Sequence, residues 1–281
     1  MTGDNQRTMG ILEGKNIVVL GASSGIGWAI VEKFAEEGAN QVIAARRMEN
    51  LEKLAGQTGA SVTRCDITDF DDVAKLAETA MERMGSVDVA VNSSGIVANC
   101  LIKDITPEVL RPIVEVDYFG AIYFMRHFGN AIAASGGGSL INITSATAIM
   151  IPTGLTPYSG AKAGINFVTK IAAREYGPDQ VRVNALAPTF VPTAMNAYGG
   201  GGTQIDEARV ALDDESPIAK GFIEESPLGR WVTVDDCADV AVLLASDLSK
   251  SMTGQVIPVD NGNTLMRLPT FTPAARGTTL P

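Results

Sequence analysis

The chain has a single histidine, three cysteines and two tryptophans among 281 residues. One imidazole, His127 in "FMRHFGNAI", cannot build a poly-histidine metal site, and acid–base chemistry is expected to use other side chains. His127 reads as a partly buried helix residue, and no metal is expected. Cys65, Cys100 and Cys237 are odd in number and irregularly spaced. They form no disulfide framework and no CxxC pair; buried apolar fillers are their expected role, and a reducing cytoplasm their expected setting. No run of 18 apolar residues occurs, so no membrane-spanning helix is expected. The opening "MTGDNQRTMGILEGK" lacks an apolar h-region, which argues against a secretory signal. Positive charge is scarce as well: 22 Lys and Arg stand against 32 Asp and Glu, a net charge of −10. A sequence-independent grip on nucleic acid needs clustered cations against phosphate, so nucleic acid is not an expected partner.

What the chain does contain is an alternation of short apolar runs and amphipathic ones. "NIVVLG" (16–21), "NQVIAA" (40–45), "ASVTRC" (60–65), "VDVAVN" (87–92), "SLINIT" (139–144), "VRVNALA" (181–187) and "QVIPVD" (255–260) read as strands. Helical patterns lie between them: from Ile26 to about Glu37, from Asp69 to Met84, from about Pro107 to Ala134, over about 157–176 and over about 233–246. Near-continuous apolar strands alternating with helices point to an α/β fold with a parallel sheet covered on both faces. The length suits one large domain over 1–281, with its core at about 12–262. Residues 188–231 break the rhythm and carry "GGGG" at 199–202, which reads as a mobile inserted flap, since glycine has much backbone entropy to lose on ordering. The tail 263–281, rich in Thr and Pro, has no clear period.

Between the first strand and the first helix stands "VVLGASSGIGWAI", with Gly21, Gly25 and Gly27. A glycine pattern at that place lets the backbone turn tightly and approach a pyrophosphate, while the helix N-terminus offers N–H donors. Further on, "TPYSGAKAG" holds Tyr158 and Lys162 four positions apart with small or polar residues between them. By itself such a pair could merely share a helix face.

Taken with "NSSG" at 92–95, "NITS" ending at Ser145, and "VRVNALAP" at 181–188, these motifs make the chain resemble the short-chain dehydrogenase/reductase family over roughly 12–262. The branch it looks like has about 250 residues and a Rossmann-type doubly wound parallel sheet of about seven strands flanked by helices. Ser145 stands thirteen residues before Tyr158, a separation typical of the family's catalytic pair. The resemblance implies an oxidoreductase that interconverts a secondary alcohol and a ketone by hydride transfer. Tyr158 would exchange the proton on the substrate oxygen, Lys162 would favour the phenolate and bind the nicotinamide ribose, and Ser145 would position the substrate oxygen. A phenol with an ordinary pKa near 10 needs such a cation to act near neutrality.

The same resemblance implies a dinucleotide held by Gly21, Ser23, Ser24, Gly25, Ile26, Gly27, Asp66, Ile67, Asn92, Ser93, Gly95, Tyr158, Lys162, Pro188, Thr189, Val191 and Thr193. An acidic residue at the end of the second strand usually binds the ribose 2′-hydroxyl of NAD. Here "VIAARR" has Ala45 at that place, followed by Arg46 and Arg47, whose guanidiniums suit a 2′-phosphate. NADP(H) is therefore expected over NAD(H), with Arg46 as the main contact and Asp66 near the adenine.

The chain departs from the family pattern at several places. Leu20 replaces a Thr in the loop motif, "NSSG" replaces "NNAG", and Pro188-Thr189 replaces Pro-Gly. Asp117 stands where the family has an Asn that kinks its helix and holds a water in the proton relay. Asp117 is expected to support Lys162 through water. Phe190, Val191, Met195, Tyr198 and Phe222 in the flap point to an apolar small-molecule substrate. Phe167, Ile171 and Ala172 on the helix at 157–176, with the last strand, point to a homotetramer. A non-catalytic dinucleotide-binding sensor or scaffold is the alternative reading; it would gain if Ser145, Tyr158 or Lys162 were missing. Enoyl reductases of related fold use a longer interval between Tyr and Lys.

Overall fold

The computed structural model describes residues 9–193 and 217–265. The expectations placed on Met195, Tyr198, the glycines at 199–202 and positions 266–281 of the tail lie outside the described residues. Among the described residues, β1 (Asn16–Leu20), β2 (Asn40–Ala45), β3 (Ser61–Arg64), β4 (Val89–Asn92), β5 (Gly138–Ile143), β6 (Val181–Pro188) and β7 (Val256–Val259) form one sheet in the order β3-β2-β1-β4-β5-β6-β7. Every neighbouring pair is parallel. This is the doubly wound Rossmann-type arrangement, with the strand order reversing between β1 and β4.

The sheet is buried on both faces because its central strands are apolar at odd and even positions alike. In β1, Ile17 and Val19 enter one core, with Ile30, Phe34 and Leu244, while Val18 and Leu20 enter the other, with Phe124, Phe128 and Ile165. Alternation of side chains across the pleat produces that division. The first core is closed by α1 (Gly25–Glu36) and α8 (Val234–Ala245), with α2 (Met48–Thr58) beside them. The second is closed by α3 (Phe70–Met84), α5 (Ala121–Ala134) and α6 (Thr156–Tyr176). α4 (Pro107–Val114) leads into α5, and α7 (Pro217–Glu224) precedes α8.

Local signals explain where the helices start. The Asp69 carboxylate accepts the N–H groups of Asp71 and Asp72 and opens α3, which therefore begins one residue later than the sequence pattern. Thr233 and Asp236 form a reciprocal capping box at the start of α8. Among the described residues, no helix is long and apolar enough to cross a membrane.

The helix expected from Pro107 to Ala134 is not continuous. Between α4 and α5 the chain widens into a π-helical turn, Glu115–Gly120. A widened turn rotates the residues within it relative to a regular helix, and such turns are frequent at functional sites. Two glycines allow the turn to sit close to its neighbours. A Cβ on Gly120 would lie 2.8 Å from the Ile67 carbonyl oxygen, and one on Gly164 of α6 would lie 2.7 Å from the Tyr118 ring. The turn is thereby pressed against α6, and Asp117 is buried.

Candidate active site

The glycine loop crosses the carboxyl end of the sheet at the point where the strand order reverses. Gly21 has φ +88° and Gly25 φ +59°, in the left-handed region that side chains disfavour. A Cβ on Gly21 would stand 2.5 Å from the Ser93 carbonyl carbon, and one on Gly27 would stand 2.3 Å from the Gly21 oxygen. The loop is thus packed on the end of β4, where Ser93 N–H donates to the Leu20 carbonyl at 2.8 Å and Asn92 Oδ1 accepts from Ser94 N–H at 3.0 Å. Ser24 precedes α1 in extended conformation, and its side chain does not cap the helix. Ile26 packs at the edge of the core, and Thr193 lies against Gly25, at 3.1 Å from the position of its Cβ.

The residues expected around a dinucleotide are brought to this edge in differing states. Arg47 Nη2 lies 3.3 Å from the hydroxyls of both Ser23 and Ser24, and Asn50 Nδ2 donates to the Ser23 carbonyl at 3.1 Å. Arg46, expected to be the main contact, is exposed; the guanidinium organised on the loop is that of Arg47. Asp66 is half-buried, and its Oδ1 accepts from the Thr68 N–H and hydroxyl at 3.1 and 2.9 Å. Ile67 and Val191 are buried, Gly95 lies in the segment after β4, and Thr189, just beyond Pro188, donates its N–H to Val259 at 3.1 Å.

Ser145, Tyr158, Lys162 and Asp117 converge from three elements. Ser145 follows β5 in extended backbone, where its Oγ accepts from the N–H and hydroxyl of Thr147 at 3.2 and 3.0 Å. It therefore caps the short turn Ala146–Ala148 while keeping its own proton available to donate. Tyr158 and Lys162 share one face of α6, with Lys162 Nζ 5.7 Å from the phenol ring centroid. Lys162 Nζ also donates to the Ile143 carbonyl at 3.2 Å and forms an ion pair with Asp117 Oδ1 at 2.9 Å. The other carboxylate oxygen accepts the Ile96 N–H at 3.2 Å. The water-mediated support expected between Asp117 and Lys162 is therefore replaced by direct contact, because the π turn and Gly164 bring the two backbones close enough.

Burial and charge act against each other here. Burial pushes the Tyr158 phenol above its ordinary value; Lys162 opposes this, Asp117 adds to it, and a hydrogen bond with Ser145 opposes it. The expected pull of Lys162 toward phenolate is present, but burial exceeds it. Burial also penalises the Lys162 ammonium, yet Asp117 and Tyr158 outweigh the penalty and leave it raised. Asp117 is raised by burial, against the opposing pull of Lys162 and the Ile96 N–H.

Two loops near this site carry exposed apolar residues that sequence patterning passes over. Cys100 N–H donates to the Gly154 carbonyl at 2.7 Å, and Cys100 pairs with Leu155 in an isolated parallel bridge. The segment after β4 is thereby tied to the residues just before Tyr158. Leu101, Ile102, Ile149, Met150 and Ile151 are exposed on these two segments, Ile151 almost completely. Phe190 stacks on Phe222 of α7 at 4.8 Å and 14°. Phe190 and Phe222 were expected from the sequence, while for Leu101, Ile102 and Ile149 to Ile151 the signal was the density of apolar residues in loops that follow strands.

Elsewhere, His127 packs edge-on against Phe70 at 4.5 Å, apart from this constellation. Cys65 and Cys237 are buried, and burial pushes the Cys65 thiol up to about 12.

Three kinds of comparison show what the chain is similar to. A family model described as enoyl-(acyl carrier protein) reductase matches residues 21–264. An uncharacterized oxidoreductase of Mycobacterium bovis is 35% identical over 256 residues, covering 90% of this chain and 98% of that protein. The 3-oxoacyl-[acyl-carrier-protein] reductase of Thermotoga maritima is 32% identical, covering 89% and 98%. Among solved structures, a short-chain type dehydrogenase/reductase from Mycobacterium ulcerans superposes with TM-score 0.83 at 26% identity, covering 93% of this chain and 94% of that one.

Proposed function

The chain belongs to the short-chain dehydrogenase/reductase family of oxidoreductases that interconvert alcohols and ketones, and on that premise we propose an NADP(H)-dependent enzyme acting on a secondary alcohol or its ketone. The observation that carries the reading is the convergence of Ser145, Tyr158 and Lys162 at the carboxyl end of β5.

The residues fit a dinucleotide. Gly21, Gly25 and Gly27 leave the strand-to-helix turn free of side chains, and the side chain of Ser24 leaves the amides of α1 uncapped, which suits a pyrophosphate. Arg47, seated on Ser23 and Ser24 beside the Ala45 end of β2, suits a 2′-phosphate, with Arg46 able to add a second cation from the surface. When bound, the cofactor supplies or accepts the hydride. Asp66, Ile67, Asn92, Ser93, Gly95, Pro188, Thr189, Val191 and Thr193 would line the rest of its site.

In ketone reduction the Tyr158 hydroxyl donates its proton to the carbonyl oxygen, and in alcohol oxidation the phenolate takes it back. Ser145 donates a hydrogen bond to the same oxygen and orients it. Lys162, anchored by Asp117 and Ile143, keeps a positive charge beside the phenol and would bind the nicotinamide ribose.

The apolar wall of Leu101, Ile102 and Ile149 to Ile151, with the Phe190–Phe222 stack, favours an apolar ketone over a polyol. The Thermotoga maritima relative is named for a 3-oxoacyl substrate, and an alkyl chain of that kind would suit the wall. Phe167 and Ile171, exposed four residues apart on α6, support a homotetramer; Ala172, expected beside them, instead faces the core. The free cysteines suit a reducing cytoplasm.

The test is NADPH consumption with a panel of ketones, run on the wild-type protein and on Tyr158→Phe. Turnover that disappears in the variant supports an enzyme. Cofactor binding without turnover of any ketone would favour a dinucleotide sensor.

A further inference from the structure

The ion pair between Asp117 and Lys162 is the least expected feature of the site. Its partners are 1% and 5% exposed, so little solvent screens their charges. Both are also fixed by backbone: Asp117 by the Ile96 N–H, and Lys162 by the Ile143 carbonyl. Resting on the reading of Tyr158 as the proton-exchanging group, we infer that Asp117 is a positioning residue that binds the Lys162 ammonium directly and thereby retards departure of the Tyr158 proton.

Charge counting gives the reason. With an ionised carboxylate at 117, the set Asp117, Lys162 and Tyr158 is neutral while the phenol is protonated and carries one negative charge once the proton has left. With an amide at 117, the set would pass from one positive charge to neutrality. Creating a net charge in a poorly solvated site is harder than removing one. The conclusion is the same whichever of Tyr158 and Lys162 releases the proton, because the two titrate as a coupled pair.

The groups facing the phenol do not cancel this effect. Lys162 faces it from α6, Asp117 from the π turn, and Ser145 from the end of β5 with a neutral hydroxyl. Asp117 therefore does two things at once. It seats the ammonium, and it spends part of the ammonium's attraction for the phenolate. The consequence is a pH window: Tyr158 keeps its proton, as ketone reduction requires, to a higher pH than an amide at 117 would allow.

The test is the pH dependence of kcat in both directions, wild type against Asp117→Asn, with a near-ultraviolet absorbance titration of the phenolate. A Tyr158→Phe sample supplies the baseline for the titration, and the titration does not depend on turnover. In Asp117→Asn the alkaline limb of reduction, the acid limb of oxidation and the phenolate titration should all move to lower pH. The oxidation rate near about pH 6 should then rise roughly tenfold relative to its own plateau. Asp117→Ser, which also removes the charge, should shift the limbs in the same direction if Asp117→Asn folds poorly. A merely structural role would lower kcat without moving the limbs or the titration. Limbs and titration that stay in place, or move upward, overturn the inference. A Tyr158→Phe enzyme that stays active overturns instead the reading on which it rests.

Discussion

Arg47 reaches back over the glycine loop, its Nη2 3.3 Å from the hydroxyls of both Ser23 and Ser24. The guanidinium is thus held at the end of β2, where Ala45 leaves room that an acidic side chain would otherwise claim. A charge-assisted contact from a pre-placed guanidinium to a phosphate contributes about 1.5–3 kcal/mol. Arg47→Ala should therefore raise the KM for NADPH at least about tenfold and change that for NADH much less. Arg46→Ala, from an exposed position, should have the smaller effect. Steady-state kinetics with both cofactors decide it; equal preference, untouched by either variant, would remove the basis for NADP(H).

Tyr158→Phe keeps the ring and removes the hydroxyl that Ser145 and Lys162 address. Turnover should fall by about three orders of magnitude or more, roughly 4 kcal/mol in barrier, with the fold and dinucleotide binding kept. Circular dichroism and cofactor fluorescence establish the second half of that statement. A variant within tenfold of wild type would place the proton transfer elsewhere.

Gly27 has no room for a side chain: its Cβ would stand 2.3 Å from the Gly21 carbonyl oxygen, a backbone atom that cannot rotate away. Gly27→Ala should push α1 off the loop, weaken dinucleotide binding more than tenfold, and destabilise the protein by about 1–3 kcal/mol. Thermal unfolding and cofactor titration measure the two effects. Unchanged affinity with unchanged stability would contradict the close packing of loop and helix.

Asp236 anchors the start of α8. Arg230 grips it with both terminal guanidinium nitrogens, at 2.6 and 3.0 Å, and Thr233 donates its N–H and hydroxyl at 2.8 Å. The Arg230 hydrogen bonds are the main reason its carboxyl is lowered to about 2. A carboxyl depressed on folding stabilises the fold above its unfolded value, and that contribution fades as pH falls through the folded value. Arg230 is half-exposed, which limits its share, so Asp236→Ala should cost about 1–2 kcal/mol near neutrality. The gap between wild type and variant should narrow as pH falls from about 4 to about 2, which denaturant titrations across that range can follow. A gap that stays constant with pH would show that the ionised carboxylate is not what stabilises the helix start.

Phe167 is 66% exposed on α6, and Ile171 lies one turn further on. If these residues form the proposed interface, light scattering at micromolar concentration should give a tetramer, and Phe167→Glu a smaller species. A monomeric wild type would end that proposal.

Much of this protein was legible before folding was considered. Near-continuous apolar strands such as "NIVVLG" can only be buried on both sides, and alternation with amphipathic helices points to a parallel sheet covered on both faces, while the doubly wound order came from the family resemblance. Gly21 and Gly25 take left-handed backbone and Gly27 packs too closely on Gly21 for a side chain, and Tyr158 and Lys162 share a face because a helix repeats every 3.6 residues. These are local or periodic properties, and a sequence carries them openly.

The contacts of the candidate site are neither local nor periodic, and tertiary structure alone decided them. Asp117 and Lys162 are 45 residues apart, and nothing in either neighbourhood says that they touch at 2.9 Å. That distance depends on the π turn at Glu115–Gly120, on Gly120 lying against Ile67, and on Gly164 admitting Tyr118. Their backbone anchors, the Ile96 N–H and the Ile143 carbonyl, have no side-chain signature at all. Arg46 and Arg47 differ for the same reason: two adjacent guanidiniums are equivalent as letters, and only the path of the chain leaving β2 turns one toward Ser23 and Ser24 and leaves the other exposed. A sequence states which groups are present; the distances between them, on which electrostatic energy depends, exist only once the chain has packed.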